Sequence, residues 1–283
     1  MLVPIQTSGD MPPLFFVHGL HGVMPLGRIF AEGLGPDQPF YAIHANGIDG
    51  RKPVLDDLRK MVLAYVEEIQ AARPTGPLVI GGMCDGTLAA LEVARELQKK
   101  GRQVGPVILA DPLAVPRHIR EGEAVDIRKP GIARQLHERV RTNLLTYASR
   151  PYHDMPFDAS CPDALQLAVS AGVGALVALA RHVPSPFPGP MQLIISVARA
   201  ASFFHPQMPW HELLPGPRMI LVLPWTHTEL FQAGRAAVAR ALKFLLEEAP
   251  AFDALTERRT EAETAVIQPF SRGIDQEAMQ QVP

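Results

Sequence analysis

The residues best placed to do chemistry lie in one turn, Gly82-Met83-Cys84-Asp85-Gly86, between the apolar run PLVIGG (77–82) and a helix-like stretch after it. The spacing is glycine, any residue, nucleophile, any residue, glycine, with cysteine in the usual serine position. A sharp strand-to-helix turn forces the nucleophile into a strained backbone region, and side chains two positions to either side would collide. Gly82 and Gly86 remove that collision. The following helix would aim its first amides at the sulfur, which lowers a thiol's pKa, and the Asp85 amide is placed to donate to a developing oxyanion. The alternative is a small thiol buried in a turn, which a five-residue pattern leaves open.

Two more segments bear on that choice. Val17-His18-Gly19-Leu20-His21-Gly22 follows the first strong apolar run, where a second oxyanion donor belongs, and Leu20 is the candidate amide. Leu223-Pro224-Trp225-Thr226-His227 ends the last such run and leads into a terminal helix. A base there reaches a nucleophile across the carboxyl edge of a sheet, which makes His227 the candidate. Asp111 terminates VILAD at a strand's carboxyl end, while Ser196-Val197-Ala198-Arg199 after the next strand offers no acid. Position and elimination both point to Asp111 as the acid that orients the imidazole.

Such a relay needs a rigid edge that all its members share. PLFFVHG (13–19), PFYAIHA (39–45), PLVIGG, PVILADP (106–112), MQLIIS (191–196) and RMILVLP (218–224) are short, nearly unbroken apolar runs, as strands buried on both faces are. Between them, Leu55, Leu58, Val62, Tyr65 and Ile69 share a helical face, with Asp56 and Asp57 in the first turn. Leu88, Leu91, Ala94 and Leu97 do the same after Cys84, and Phe231, Val238, Leu242 and Leu245 mark a final helix. Strand and helix in alternation imply an α/β protein with a parallel sheet and right-handed crossovers.

The alternation breaks after Asp111. An insertion over 113–189 carries two helical patterns, one around Ile132 to Leu145 and one over the uncharged ALQLAVSAGVGALVALA (164–180), and it closes with VPSPFPGP. The prolines at its end make a stiff connector back to the sheet. The insertion reads as a lid between a first core part (1–112) and a second (190–252), with a polar, frayed tail over 253–283. The uncharged stretch is at the short limit for a membrane span and contains Gln166, Ser170, Gly172 and Gly174, so a buried or substrate-facing helix is expected, not a span.

Composition bounds the partners. The chain has 283 residues, 47% hydrophobic and 20% charged, with a formal net charge of -2, and its charges are interspersed. That leaves no basic stripe for nucleic acid and no polybasic membrane anchor. MLVPIQTSGDMPP has no basic start or apolar stretch that signals secretion, and a cytoplasmic protein is expected. Two cysteines are too few for a disulfide framework.

The runs PLFFVHGLHG, LGPDQPFYAIHANGIDG and GPLVIGGMCDGTLAALEVARELQKKGRQVGPVILADP resemble the thioesterase domains that terminate polyketide synthases and nonribosomal peptide synthetases, members of the α/β-hydrolase superfamily. The resemblance covers roughly 2–112, lapses through the insertion, and resumes at PGPMQLIIS and from Trp210 through the terminal helix. It implies an α/β-hydrolase fold, with helices on both faces of a mostly parallel sheet and an inserted helical lid. In that family the acid follows the strand after the nucleophile helix, as Asp111 does. The family's substrates arrive as acyl or peptidyl thioesters on the phosphopantetheine arm of a carrier protein, or on coenzyme A, and no cofactor is implied. The sequence departs from the family pattern at several positions. Cysteine replaces serine at 84, Asp85 stands where an apolar residue is common, Thr87 replaces a second glycine, and Trp225-Thr226 replaces glycine-aspartate. Trp225 is expected to narrow the mouth of the site. Met83 and the uncharged helix are expected to line the pocket, which suggests a long or bulky apolar acyl group.

His18 and His21 have metal-ligand spacing but no third ligand cluster, so no metal is expected, and Cys161 in DASCPD reads as a surface thiol. Three functions of different class remain open: a cysteine thioesterase, an acyltransferase or cyclising enzyme using the same Cys84-bound acyl group, and a non-catalytic binding protein of the same fold.

Overall fold

The computed structural model describes residues 1–19, 21–112, 130–203, 210–256 and 265–269. Eight strands form one sheet: β1 (Leu2–Gln6), β2 (Leu14–Val17), β3 (Phe40–Ile43), β4 (Val79–Met83), β5 (Val107–Ala110), β6 (Met191–Ser196), β7 (Arg218–Leu223) and β8 (Ala265–Pro269). Their order across the sheet is β1-β3-β2-β4-β5-β6-β7-β8. β1 runs antiparallel to β3, and every other pairing is parallel. This is the α/β-hydrolase arrangement anticipated above.

The apolar runs explain why the sheet is buried on both faces. Along β2, Phe15 and Val17 enter one core while Leu14 and Phe16 enter the other, all at 0% exposure. Phe15 stacks on Tyr41 on the first side, and Phe16 meets Phe30 edge-on on the second. Helices α1 (Gly27–Leu34) and α9 (Arg235–Thr256) cover one face, and α2 (Leu58–Ala72) and α3 (Gly86–Lys99) cover the other. Asp57 is the N-cap of α2 and accepts from the Lys60 amide, so the acidic pair before that helix starts it by capping as well as by charge.

Between β5 and β6 come α4 (Pro130–Ala148) and α5 (Pro162–Ala180), followed by the short α6 (Val197–Phe203), α7 (Trp210–Leu213) and, after β7, α8 (His227–Leu230). By length and composition α5 could cross a membrane. Here its small residues press into the molecule. A Cβ on Gly172 would sit 2.7 Å from the His21 carbonyl oxygen and 2.8 Å from Val140 Cγ1. The proline-rich connector is anchored by Arg95, whose Nη2 donates to the Ser185 and Pro186 carbonyls at 3.1 Å while its guanidinium lies over buried Phe187.

Three elements depart from the sequence reading. β1 is an extra edge strand, and α1 is a helix that no capping signal announces, since Leu26 makes no side-chain cap bond. The segment expected as a frayed tail from 253 instead continues α9 to Thr256 and then supplies β8, which pairs with β7 from Arg218↔Ala265 to Val222↔Pro269. The remaining tail, and the part of the insertion over 113–129, lie outside the described residues.

Candidate active site

The expected relay assembles where the parallel strands end. Cys84 follows β4, Asp111 follows β5, and His227 opens α8 just after β7. Because β4 and β5 are neighbours, and β6 and β7 come next, the turns after them share one edge. Cys84 Sγ lies 3.2 Å from His227 Nε2, and His227 Nδ1 lies 2.6 Å from Asp111 Oδ2. A carboxylate only accepts, so Nδ1 carries the proton toward Asp111 and the lone pair of Nε2 faces the thiol.

Both residues carried by neighbouring strand ends have left-handed backbone. Cys84 has φ 55 and Asp111 has φ 49, and neither is glycine. Conformations of this kind cost on the order of 1–3 kcal/mol and persist where surrounding bonds over-determine them. Here the bonds run strand to strand: the Cys84 amide donates to the Ala110 carbonyl at 2.9 Å, and the Asp111 amide to the Ile194 carbonyl at 2.6 Å. The elbow also explains its glycines. A Cβ at Gly86 would stand 1.7 Å from the His18 carbonyl oxygen, and one at Gly82 would meet the Gly86 oxygen at 2.8 Å and Ala90 Cβ at 2.9 Å. Thr87, in place of a further glycine, turns its buried hydroxyl to the Cys84 carbonyl at 2.7 Å.

Asp111 is 0% exposed, and its side chain is met by donors. The Ser196 amide donates to Oδ1 at 2.7 Å, and Arg199 Nε stands 3.5 Å from Oδ2 while its Nη1 donates to the Asp111 carbonyl at 2.7 Å. The stretch Ser196 to Arg199, which offers no acid of its own, is therefore the clamp for the acid one strand away. Sequence reasoning missed Arg199; the available signal was a lone arginine at a strand's carboxyl end opposite a candidate buried carboxylate.

The electrostatics correct one expectation. Burial pushes the Cys84 thiol up to about 12, and the neighbouring Asp85 charge adds to the effect. Arg199 and a hydrogen bond from the Asp85 amide pull the other way without prevailing. The lowering anticipated from the α3 N-terminus is outweighed, so the resting site holds a neutral thiol. Asp85 itself is raised to about 6 by burial, against the favourable charges of Arg199 and Arg139. Its amide already reaches the sulfur, the position an oxyanion donor at the elbow must hold. Leu20, the other expected donor, lies outside the described residues, but adjacent Gly19 brings that loop within contact of the nucleophile, since a Cβ there would lie 3.5 Å from Cys84 Cβ.

A cavity of about 270 Å³ opens over Cys84 and His227. Met83 lines it as expected, together with Val23, Leu26 and Phe231. Trp225 does not. Its amide donates to the Leu223 carbonyl at 2.9 Å and its indole packs on Gly234, where an added Cβ would meet ring carbon Cδ2 at 2.9 Å. No residue of α5 lines the cavity either; the wall facing the core is apolar, and among the described residues of the insertion α4 and the turn after it build the other side.

Neither loop histidine is poised for a metal. Buried His18 donates from Nδ1 to the Gly19 carbonyl at 2.7 Å and meets the Tyr65 hydroxyl through Nε2 at 2.8 Å. His21 reaches instead to α4, with Nε2 2.9 Å from Asn143 Nδ2 and Nδ1 3.5 Å from the Tyr147 hydroxyl. Desolvation lowers both rings to about 4, so they are neutral near pH 7. Among the described residues no group of three His, Cys, Asp or Glu side chains could hold an ion. Cys161 is an exposed free thiol at the N-cap of α5.

Residues 12–157 match the family model described as "Thioesterase domain". The chain is 35% identical to malpibaldin synthetase of Mortierella alpina over 114 residues, 40% of this chain and 2% of that protein. It is 34% identical to atromentin synthetase of Tapinella panuoides over 120 residues, 42% of this chain and 12% of that one, and 33% identical to a dimodular nonribosomal peptide synthase of Bacillus subtilis over 118 residues, 42% and 5%. It thus spans a small part of the length of these relatives. Among solved structures, the NocB thioesterase domain in covalent complex with a fluorophosphonate nocardicin G analogue superposes with a TM-score of 0.62 at 21% identity, over 86% of this chain and 97% of that one. At that identity the likeness speaks for the fold.

Proposed function

Since this chain belongs to the thioesterase-domain family, we propose that it releases acyl or peptidyl chains from the phosphopantetheine arm of a carrier protein, or from coenzyme A, by way of a thioester on Cys84. The observation that carries this reading is the continuous line from Sγ to Nε2 at 3.2 Å and from Nδ1 to Asp111 at 2.6 Å, under a cavity that opens on the sulfur. With the thiol neutral at rest, His227 takes the Sγ proton as sulfur bonds the thioester carbon. The carbonyl electron pair moves onto oxygen beside the Asp85 amide, an interaction often worth about 3 kcal/mol in such sites. Collapse expels the arm's thiolate, which His227 protonates. The acceptor then loses its proton to His227, attacks the Cys84 thioester, and returns the sulfur to its thiol form. Asp111 holds the imidazole tautomer through both halves.

The cysteine favours a second reading beside hydrolysis. Serine would convert a thioester into a lower-energy oxygen ester, whereas Cys84 exchanges one thioester for another and keeps the acyl group activated. Transfer to an amine or hydroxyl, including one on the same chain to close a ring, then remains downhill. The intact relay weighs against a non-catalytic binding protein.

Intact mass measurement after brief exposure to acyl N-acetylcysteamine thioesters tests the proposal. Wild type should gain the mass of the acyl group and the Cys84→Ala variant should not; adding amines or only water then sorts transfer from hydrolysis. Equal adducts on both proteins, or equal turnover, would end the Cys84 mechanism.

A further inference from the structure

Arg139, Asn143, Thr146 and Arg150 follow one another at steps of three and four along α4 and the turn after it, and Tyr147 is four on from Asn143, which places all five on one face. All five line the cavity above Cys84. The flanking face of α4 is apolar: Val140 and Leu144 are 0% exposed and sit in the core shared with α5. The helix therefore turns its polar side toward the reacting sulfur.

That polar wall has a sign. No aspartate or glutamate is among the described residues lining the cavity, while two arginines are. Arg139 makes no ion pair or hydrogen bond among the described residues. Arg150 donates from Nη1 to the Tyr152 hydroxyl at 2.8 Å, which fixes one arm of its fork and leaves the rest to the cavity. Tyr152 is in turn covered by the Arg235 guanidinium at 4.1 Å, a third cation behind the same wall. Arg139 is also close enough to Asp85, beside the nucleophile, to favour its charged form. Arg139 and Arg150, with no carboxylate partner among the described residues and set beside an apolar wall, suit a ligand that is apolar along its length and anionic at one point.

We infer that the acyl chain accepted by this site carries an oxyanion, a carboxylate at or near its far end, which Arg139 and Arg150 hold while the thioester carbon lies at Cys84. This adds an anionic end to the long or bulky apolar acyl group expected from the sequence, and it rests on the thioesterase reading above. The phosphate of the phosphopantetheine arm has the same chemistry. It is separated from the reacting carbon by the length of the arm, whereas both arginines line the cavity that holds the sulfur.

Three N-acetylcysteamine thioesters of a six-carbon chain, ending in methyl, carboxylate or ammonium, distinguish the possibilities, since none contains phosphate. The readout is the second-order rate of acyl-enzyme formation, followed by intact mass on the full chain. Wild type should prefer the carboxylate chain over the methyl chain. The ratio of those rates should fall roughly tenfold to a hundredfold in Arg139→Gln together with Arg150→Gln. In the Arg139→Glu, Arg150→Glu protein, preference should pass to the ammonium chain, a gain that a damaged fold cannot produce. No wild-type preference for carboxylate, or a loss that leaves the ratio unchanged, would overturn the inference. So would a defect seen only when the methyl chain is carried on coenzyme A, because that assigns the arginines to the arm's phosphate. If wild type forms no adduct with any of the three or with their coenzyme A counterparts, the thioesterase reading itself falls and the inference with it.

Discussion

Replacing Asp85 by asparagine should make the nucleophile more reactive toward an alkylating agent, although the residue sits beside the catalytic sulfur. Burial raises the Cys84 thiol to about 12, and Asp85 is the next contributor in the same direction. Two unit charges on the order of 6 Å apart interact with about 3 kcal/mol at an effective dielectric of 20, and with about half that where Arg199 and solvent screen them. The smaller figure is about one pK unit, hence about tenfold more thiolate at pH 8 in Asp85→Asn. Asp85 is itself raised to about 6, so in wild type its charge disappears below that pH. The logarithm of the Cys84 alkylation rate should then rise with unit slope above roughly pH 7, flatten for about one pH unit near 6, and rise in parallel with the variant below it. The variant should show a single slope, about tenfold higher above pH 7. Exposed Cys161 reacts too, so both proteins should carry Cys161→Ser. Superimposable curves would show that the Asp85 charge does not reach the sulfur, and a wild-type rate that reaches a lasting plateau between pH 7 and 8, with no renewed rise above it, would refute the neutral resting thiol. The same substitution has a stability signature. A carboxyl whose folded pKa of about 6 exceeds its usual 3.8 binds protons more tightly when folded, so its contribution is intact below about pH 4 and is lost as pH rises through 6. That loss is at most about 3 kcal/mol before screening, and Asp85→Asn should melt higher than wild type at pH 8 but not at pH 4.

Asp111→Asn should lower kcat by about three to four orders of magnitude with little change in KM, because an amide can donate to Nδ1 and so favour the tautomer that has no free Nε2 lone pair; steady-state turnover of one thioester decides it, and a loss under tenfold would remove Asp111 from the relay. Gly86→Ala should abolish soluble folded protein, since its Cβ would fall 1.7 Å from the His18 oxygen, whereas Gly131→Ala meets nothing within 4 Å and should melt no lower than wild type. Asn143→Leu leaves buried His21 without its partner at 2.9 Å and should cost about 1–3 kcal/mol of unfolding free energy in a urea titration, with a fall in acylation rate because the same loop carries Leu20; unchanged acylation would uncouple α4 from that loop.

The parts of this fold that were legible in the sequence are those where burial is complete. Strands covered on both faces have no polar alternation to disguise them, and LFFV, FYAI and VILA read directly as β2, β3 and β5. Edge strands do not have that signature: in β1 every residue is partly or fully exposed, Pro4 interrupts it, and its pairing slips between Pro4 and Gln6. Within the site, Cys84, Asp111 and His227 could be found because each is fixed by where a strand ends, and chain order along a parallel sheet is a spatial statement. Trp225 could not be placed in the same way. Two residues from His227 in sequence, its indole packs on Gly234, a contact with a residue nine further on that strand ends do not foretell.

The lid shows the limit of periodicity more sharply. Helical spacing tells which residues share a face, and lack of charge makes the run over 164–180 look like the wall of an acyl pocket, but neither says which helix meets the site. What decides the matter is which helix touches the sheet edge and how closely. Gly172 lets α5 come up against the His21 carbonyl and Val140, where it serves as packing for α4 and the loop. That leaves α4, the less apolar of the two helices, to present Arg139, Asn143 and Tyr147 to the cavity. The small residues that made α5 resemble a lipid-like lining are thus what remove it from the substrate, and the charge of the pocket follows from the helix that α5 supports.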